Sequence, residues 1–488
     1  METQNIFVFL AISMMTMCFG WGMRGSAIGG EKGAMLPGAI MGIMCVWYTG
    51  SELLMENVFL FAAACALGYF YGGMEPYGST MGLVLDHDSP RYNPSLGYLA
   101  LAFKGSIWSG LGSAFLGISF SAMSGVVYKW YDFVIFFALV PLVQEIGYRI
   151  FNTPYDPEHG KMPKVGFSKD SREEWGRNLV IVAGLLVMMA IRGDIFGIIM
   201  WIGGALAGSI GWIVAITFYD KQMYPLKNGK RLFGKLDEKN VIDGWKIMEY
   251  VQGCFNGLGI AVAFVVGWPL AAKNLEHAES VGELWYMIPQ KVDTVLSWVF
   301  CALIILTIFL FIIPYRRNGN KITRAFGEVD MNIVEVLERP CYMVGPLCLV
   351  MLGSTTMASI ICCFTMYYVI AQHDGLERYW DFKNIKLIRI ILILIGAAIL
   401  IGQIFRGYTL WETWIFYCVG YNLFDAMFFW RPQRVKENWE KSKKLANGQS
   451  KGRRIARFLE LFNGDITVLP FFYVLMAAML VFGYYNFR

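Results

Sequence analysis

Three groupings of polar residues stand out in a chain that is otherwise strongly apolar. The first runs from Gly20 to Pro37, GWGMRGSAIGGEKGAMLP, and sets Arg24, Glu31 and Lys32 among six glycines and the small Ser26 and Ala27. Glycine weakens a helix, and irregular backbone at membrane depth is tolerated only where protein or a water-filled cavity satisfies its polar groups. The stretch is therefore read as a broken helix or re-entrant loop whose bare N–H groups, with Arg24, meet an anionic or polyhydroxyl ligand. The competing reading is a tight turn between two spans, with Arg24 and Lys32 as flanking charges.

The second grouping, Tyr69 to Ser95, joins a double glycine, Glu75 before Pro76, the tyrosines Tyr69, Tyr71 and Tyr77, and then Asp86, His87, Asp88 and Arg91. A glutamate at the mouth of a span, ringed by tyrosine and glycine, suits a polar ligand or a coupling proton. Asp86, His87 and Asp88 also form a D-x-D pattern able to grip a divalent cation, and His159 in YDPEHGK is expected on the same side. The competing readings are an aromatic belt at the membrane interface and a solvated acidic turn.

The third grouping is made of charges within apolar spans, each of which costs at least ~2.5 kcal/mol at the bilayer centre and must be paired or line a cavity. Lys104 stands eight residues past Leu96, about 12 Å along its helix. Glu145 and Arg149 are four apart, the spacing of an internal ion pair. Arg192 and Asp194 interrupt AIRGDIFGIIMWIGGALAGS, Ala190 to Ser209, which repeats the Arg-Gly and small-residue grammar of the first grouping. Gln403 with Arg406, and Asn422 with Asp425, share faces farther on.

The elements that must position these residues are membrane helices. The chain has 488 residues, 56% hydrophobic and 16% charged, with a mean hydropathy of +0.47, which excludes a soluble globular enzyme. Apolar stretches of about 20 residues, enough to cross the hydrocarbon layer, are expected at 5–23, 33–50, 53–72, 96–123, 133–150, 178–191, 195–219, 248–269, 294–313, 341–371, 385–404 and 466–485. A thirteenth, 411–430, carries Glu412, Asn422 and Asp425 and is apolar enough to cross or to lie in the interface. With it crossing, Lys and Arg divide almost evenly between the two sides. Without it, the loops 149–177, 221–246, 316–339 and 431–457 gather on one side and satisfy the positive-inside rule. The expectation is an all-α polytopic membrane protein of about 12 helices (12–13), one integral membrane domain over 1–488, with both termini outside and the long basic loops in the cytoplasm of a bacterial-type membrane. Within the 431–465 basic loop, Ile455, Phe458, Leu459 and Phe462 beside Arg453, Arg454 and Arg457 have the spacing of a helix lying on an anionic leaflet. No Lys or Arg precedes the first span, so it is expected to be a retained helix rather than a cleaved signal. Blocks 1–150 and 178–371 each open on one of the glycine-rich stretches, and an odd number of spans per block would relate them by an inverted repeat; ordinary close packing of small residues explains the same pattern.

The net charge of +5, from 42 basic and 37 acidic residues, is spread along the loops and implies no nucleic-acid partner. The ten cysteines lie in apolar segments without a C-x-x-C pair and read as core residues. No H-E-x-x-H, G-x-S-x-G, P-loop or Rossmann pattern occurs, so no cofactor is expected. The favoured function is an ion- or proton-coupled secondary transporter of a small polar metabolite, anionic or sugar-like, with the bilayer as its other partner and oligomerisation left open. Arg24, Glu31, Glu75, Tyr77, Arg192 and Asp194 are expected around the ligand, and Glu75 or Glu145 is expected to take up the coupling proton. The alternative is a membrane-embedded metal-dependent transferase or hydrolase acting on a lipid-linked or amphipathic substrate through Asp86, His87 and Asp88.

Overall fold

The protein is described by a computed structural model covering residues 3–24, 30–75, 77–153, 165–167, 173–223, 244–282 and 385–405, with isolated positions elsewhere. Among the described residues the structure is helical, without strands. In chain order the helices are α1 (Ile6–Arg24), α2 (Gly30–Thr49), α3 (Glu52–Glu56), α4 (Val58–Gly73), α5 (Gly78–Leu85), α6 (Pro94–Ala122), α7 (Trp130–Gly147, continued by a π-turn Tyr148–Asn152), α8 (Trp175–Arg192), α9 (Ile195–Met223), α10 (Gly244–Val281) and α11 (Ile385–Phe405).

Four of them, α6, α8, α9 and α10, are long and apolar enough to cross a membrane, and α7 with its π-turn makes a fifth, bent by 40°. Their outward faces carry exposed Val187, Ile191, Leu206, Ile210 and Val266, the surface that lipid rather than water covers. The remaining expected spans at 294–313, 341–371, 411–430 and 466–485, the basic segment around Ile455 and most of the second repeat block lie outside the described residues, so the count of twelve rests on the sequence.

The hub is α6, starting at Asn93, whose side chain accepts from Leu96 N–H, with Pro94 in the first turn, the arrangement that a helix N-terminus favours. Its most apolar stretch is 78% buried against 39–50% for α8, α9 and α10. Small residues let its neighbours approach closely, as in membrane helix pairs generally. A Cβ on Gly208 of α9 would stand 2.1 Å from the Gly105 carbonyl oxygen, and one on Gly68 of α4 would stand 2.4 Å from that of Leu111.

In the first glycine-rich stretch, the residues where a break would lie are outside those described, and the helices on either side of them are continuous. Helix α1 continues through Gly20 and Gly22 to Arg24, and α2 starts at Gly30 and runs on through Pro37; residues 25–29 lie outside the described residues. Here glycine serves close packing: a Cβ on Gly22 would meet the Tyr250 ring of α10 at 2.1 Å, and one on Gly38 the Cys65 carbonyl of α4 at 2.8 Å. The second stretch does break. Gly193, at φ +65°, caps α8 in the left-handed conformation and the chain turns directly into α9, a backbone state that glycine adopts without strain.

Gly208→Ala is expected to cost about 1–3 kcal/mol by overpacking α6 against α9. Gly78→Ala, whose Cβ would meet nothing within 4 Å, is expected to stay within about 0.5 kcal/mol; denaturant unfolding in detergent measures both.

Candidate functional site

Helices α4 and α5 follow α6 in the opposite direction, one after the other. Gly72 packs on Trp108 and Gly97 packs on Val84, so the two helices descend the length of α6 with an interruption at residues 74–77. The residue before a proline is pushed out of the helical region, and Glu75 precedes Pro76. Lys104, level with this break, lies ten residues into α6, about 15 Å from its start by helical rise. The break is thus well inside the bundle.

Tyr77 closes it. Its ring is stacked between Trp108 of α6, at 4.4 Å, and Trp212 of α9, at 4.9 Å, and its hydroxyl donates to the Gly72 carbonyl at 3.2 Å. Trp212 reaches this position because Gly105 leaves room: a Cβ there would meet the indole at 2.3 Å.

At the break Glu75 meets the buried Lys104. The ammonium stands 2.5 Å from Glu75 Oε1 and 2.6 Å from Glu173 Oε2, and it donates to Thr80 Oγ1 at 2.8 Å. An ammonium has three donors, and three elements supply the oxygens: the break, α5 and the segment leading into α8. The other carboxylate oxygens are held by backbone, with Glu174 N–H donating to Glu75 Oε2 at 2.8 Å and Phe167 N–H to Glu173 Oε1 at 3.0 Å.

On the far side of Glu75 is a cavity of about 180 Å³. Trp21 of α1, Tyr77, Trp212, and Trp245, Glu249 and Gln252 of α10 form its wall with Glu75. Glu249 is 2% exposed and accepts from Trp245 Nε1 at 2.9 Å. Gln252 Oε1 and Trp212 Nε1 are among the buried polar atoms of the described wall that have no hydrogen-bond partner.

The structure brings together only part of the expected site. Glu75 and Tyr77 share the cavity wall. Arg24 ends α1 and Glu31 lies in the first turn of α2; nothing is described of their side chains. Arg192 and Asp194 belong to the other end of α6. Asp194 accepts from Ser121 and Tyr128, both at 2.6 Å, and from Gly197 N–H at 2.8 Å, and Ser121 is 17 residues beyond Lys104, about 26 Å along α6. Arg192 pairs with Asp132 and lies over the Tyr131 ring. These two residues therefore anchor the α8–α9 turn to α6 and α7 and leave the ligand set. Glu145 makes the expected pair with Arg149, at 2.7 Å, but on a surface where their side chains are 45% and 74% exposed, away from the cavity wall. In the D-x-D turn, Asp86 and Asp88 are exposed, and His87 Nε2 meets Asp220 Oδ1 of α9 at 2.6 Å instead. Among the described residues no three His, Cys, Asp or Glu are grouped to hold a metal; His159 lies outside them.

Sequence reasoning missed Glu173, Trp212, Trp245, Glu249 and Gln252. The one usable signal was Lys104, whose burial demanded a carboxylate partner. No protein-family model, curated protein or solved structure matches the chain.

Lys104→Met would leave two buried carboxylates facing each other and is expected to cost about 3–5 kcal/mol, the usual penalty for removing one partner of a buried pair. Adding Glu75→Gln and Glu173→Gln is expected to restore most of it, as read from thermal unfolding of the three proteins in detergent.

Proposed function

We propose that the chain is a proton-coupled secondary transporter of a small polar solute, with twelve spans, both termini outside and the long basic loops in the cytoplasm. The observation that carries this reading is the buried break between α4 and α5 beside α6, with a carboxylate at the break and a cavity beside it. Broken helices in transporters place irregular backbone where it lines a cavity, and coupling ions bind there. At the first glycine-rich stretch α1 reaches its last turns beside Tyr250 near the cavity, whereas at the second α8 turns into α9 beside Ser121, near the end of α6. The helices α2, α4 with α5, α6, α7 and α8 separate the two stretches, and five crossings between them would be the odd number that an inverted repeat needs.

Glu75 takes the coupling role. Lys104 from α6, Glu173 and the Glu174 N–H ahead of α8, and Glu249 from α10 across the cavity are the charged and polar groups around it. A proton on Glu75 would loosen its hold on Lys104 and free α5 and the break to shift relative to α6. Solute in the cavity and proton on Glu75 would then act on the same break, which gives the differential binding that coupling requires.

Reconstituted into liposomes carrying a pH-sensitive dye, the wild-type protein is expected to move protons inward when its solute is added outside. Glu75→Gln is expected to abolish that proton movement while keeping solute exchange at zero gradient. Proton movement that survives in Glu75→Gln with unchanged pH dependence removes Glu75 from the role.

A further inference from the structure

Among the described residues, the wall of the cavity carries two carboxylates and no cationic side chain. Glu75, 4% exposed, and Glu249, 2% exposed, bring carboxylates. Gln252, 3% exposed, brings a carbonyl oxygen without a partner. Of the wall's indole N–H groups, that of Trp245 donates to Glu249 and that of Trp212 is without a partner. A buried polar atom left unpaired is costly, and an acceptor-rich wall is completed by a donor-rich ligand. The rest of the wall is aromatic, from Trp21, Tyr77, Trp212 and Trp245. Aromatic faces carry the negative side of a quadrupole and attract cations, tryptophan most strongly.

From this arrangement we infer that the cavity binds a small organic cation, an alkylammonium of single positive charge carrying at least one hydroxyl or amine donor. The inference rests on the transporter reading in that it names the substrate class of the same cavity, and it replaces the anionic or sugar-like solute expected from the sequence. An anion would face Glu75 and Glu249 with no cationic group among the described wall residues; the ammonium of Lys104 is turned to Glu75, Glu173 and Thr80 and is not part of the wall. The cavity, about 180 Å³, has room for a solute of the size of choline or ethanolamine. The cationic head sits among the indoles with Glu249 opposite, and the ligand's donor meets Gln252 Oε1. The Trp212 N–H then donates to the ligand's hydroxyl oxygen.

Titration of the tryptophan fluorescence of the purified full chain in detergent, with choline, ethanolamine, glucose and sodium succinate at constant ionic strength, tests the assignment. A saturable change with choline or ethanolamine and none with glucose or succinate is expected. Glu249→Gln is expected to weaken the cation at least tenfold, and Gln252→Glu, which adds a second carboxylate where the unpartnered oxygen now stands, to tighten it several-fold. A gain in affinity cannot come from misfolding, so the second variant protects the test against loss of structure in the first. Saturation by glucose or succinate, a flat response to every probe, or cation binding that neither substitution changes would each overturn the proposal. Counterflow of labelled choline or ethanolamine into liposomes separates the two readings. Binding without movement overturns the transporter and leaves the ligand class standing; movement of glucose or succinate with no cation response keeps the transporter and overturns the ligand class.

Discussion

An ammonium group held well inside a membrane bundle has to be surrounded by oxygens, because the surrounding hydrocarbon supplies none. Lys104 imposes that condition on three parts of the chain at once. The span running beside α6 has to open so that Glu75 can face the ammonium, α5 has to resume at a height that puts Thr80 within reach, and the segment ahead of α8 has to fold back into the bundle to deliver Glu173. The backbone opened by the break is then satisfied locally, through Glu174 N–H on Glu75 and the Tyr77 hydroxyl on Gly72. Removing the lysine would take away the reason for each of these excursions.

Glycine makes the arrangement sterically feasible. Gly105, next to Lys104, leaves the space that Trp212 fills, and Gly72 leaves the space that Trp108 fills. The two indoles then clamp Tyr77 from both faces. The aromatic groups at the cavity are thus positioned by absences of side chain on α4 and α6. Packing in lipid has no hydrophobic drive between helices and depends on such close approach, so the same glycines that join α6 to α4 and α9 also set the shape of the ligand wall.

Much of the helical scaffold was legible in the sequence. Helices α1, α2, α4, α6, α7, α8, α9 and α10 fall on apolar stretches separated by polar turns, and Lys104 and Glu75 stood out as charges that lipid would penalise. The glycine breaks were only half legible, because a glycine that ends a helix and one that admits a neighbour look alike until the neighbour is known: Gly193 ends α8, whereas Gly22 admits Tyr250. The partner of Lys104 was hidden for a different reason. Glu173 sits in a polar, basic stretch where a glutamate is unremarkable, and only the tertiary fold carries it inward. Trp245, Glu249 and Gln252 were hidden in turn because α10 is apolar overall, and their common face is meaningful only once α1, α5 and α9 close around it.

The bundle holds a second buried carboxylate, and comparing the two argues for where function resides. Asp194 is saturated: Ser121, Tyr128 and the Gly197 amide satisfy it, and it caps α9 while fixing the turn from α8. A group so fully occupied, on a turn held by glycine geometry and by the Arg192 pair, has little capacity left for a ligand. Glu75 is held on one side only, by Lys104 and a backbone N–H, and on the other it borders a cavity whose wall still contains an unpartnered acceptor and an unpartnered donor. Its helix is interrupted on both sides by few residues, and α5, at eight residues, is too short to hold its position except through what it touches. The Asp194 turn is therefore held on every side, whereas Glu75 keeps one side toward a cavity that a ligand could fill.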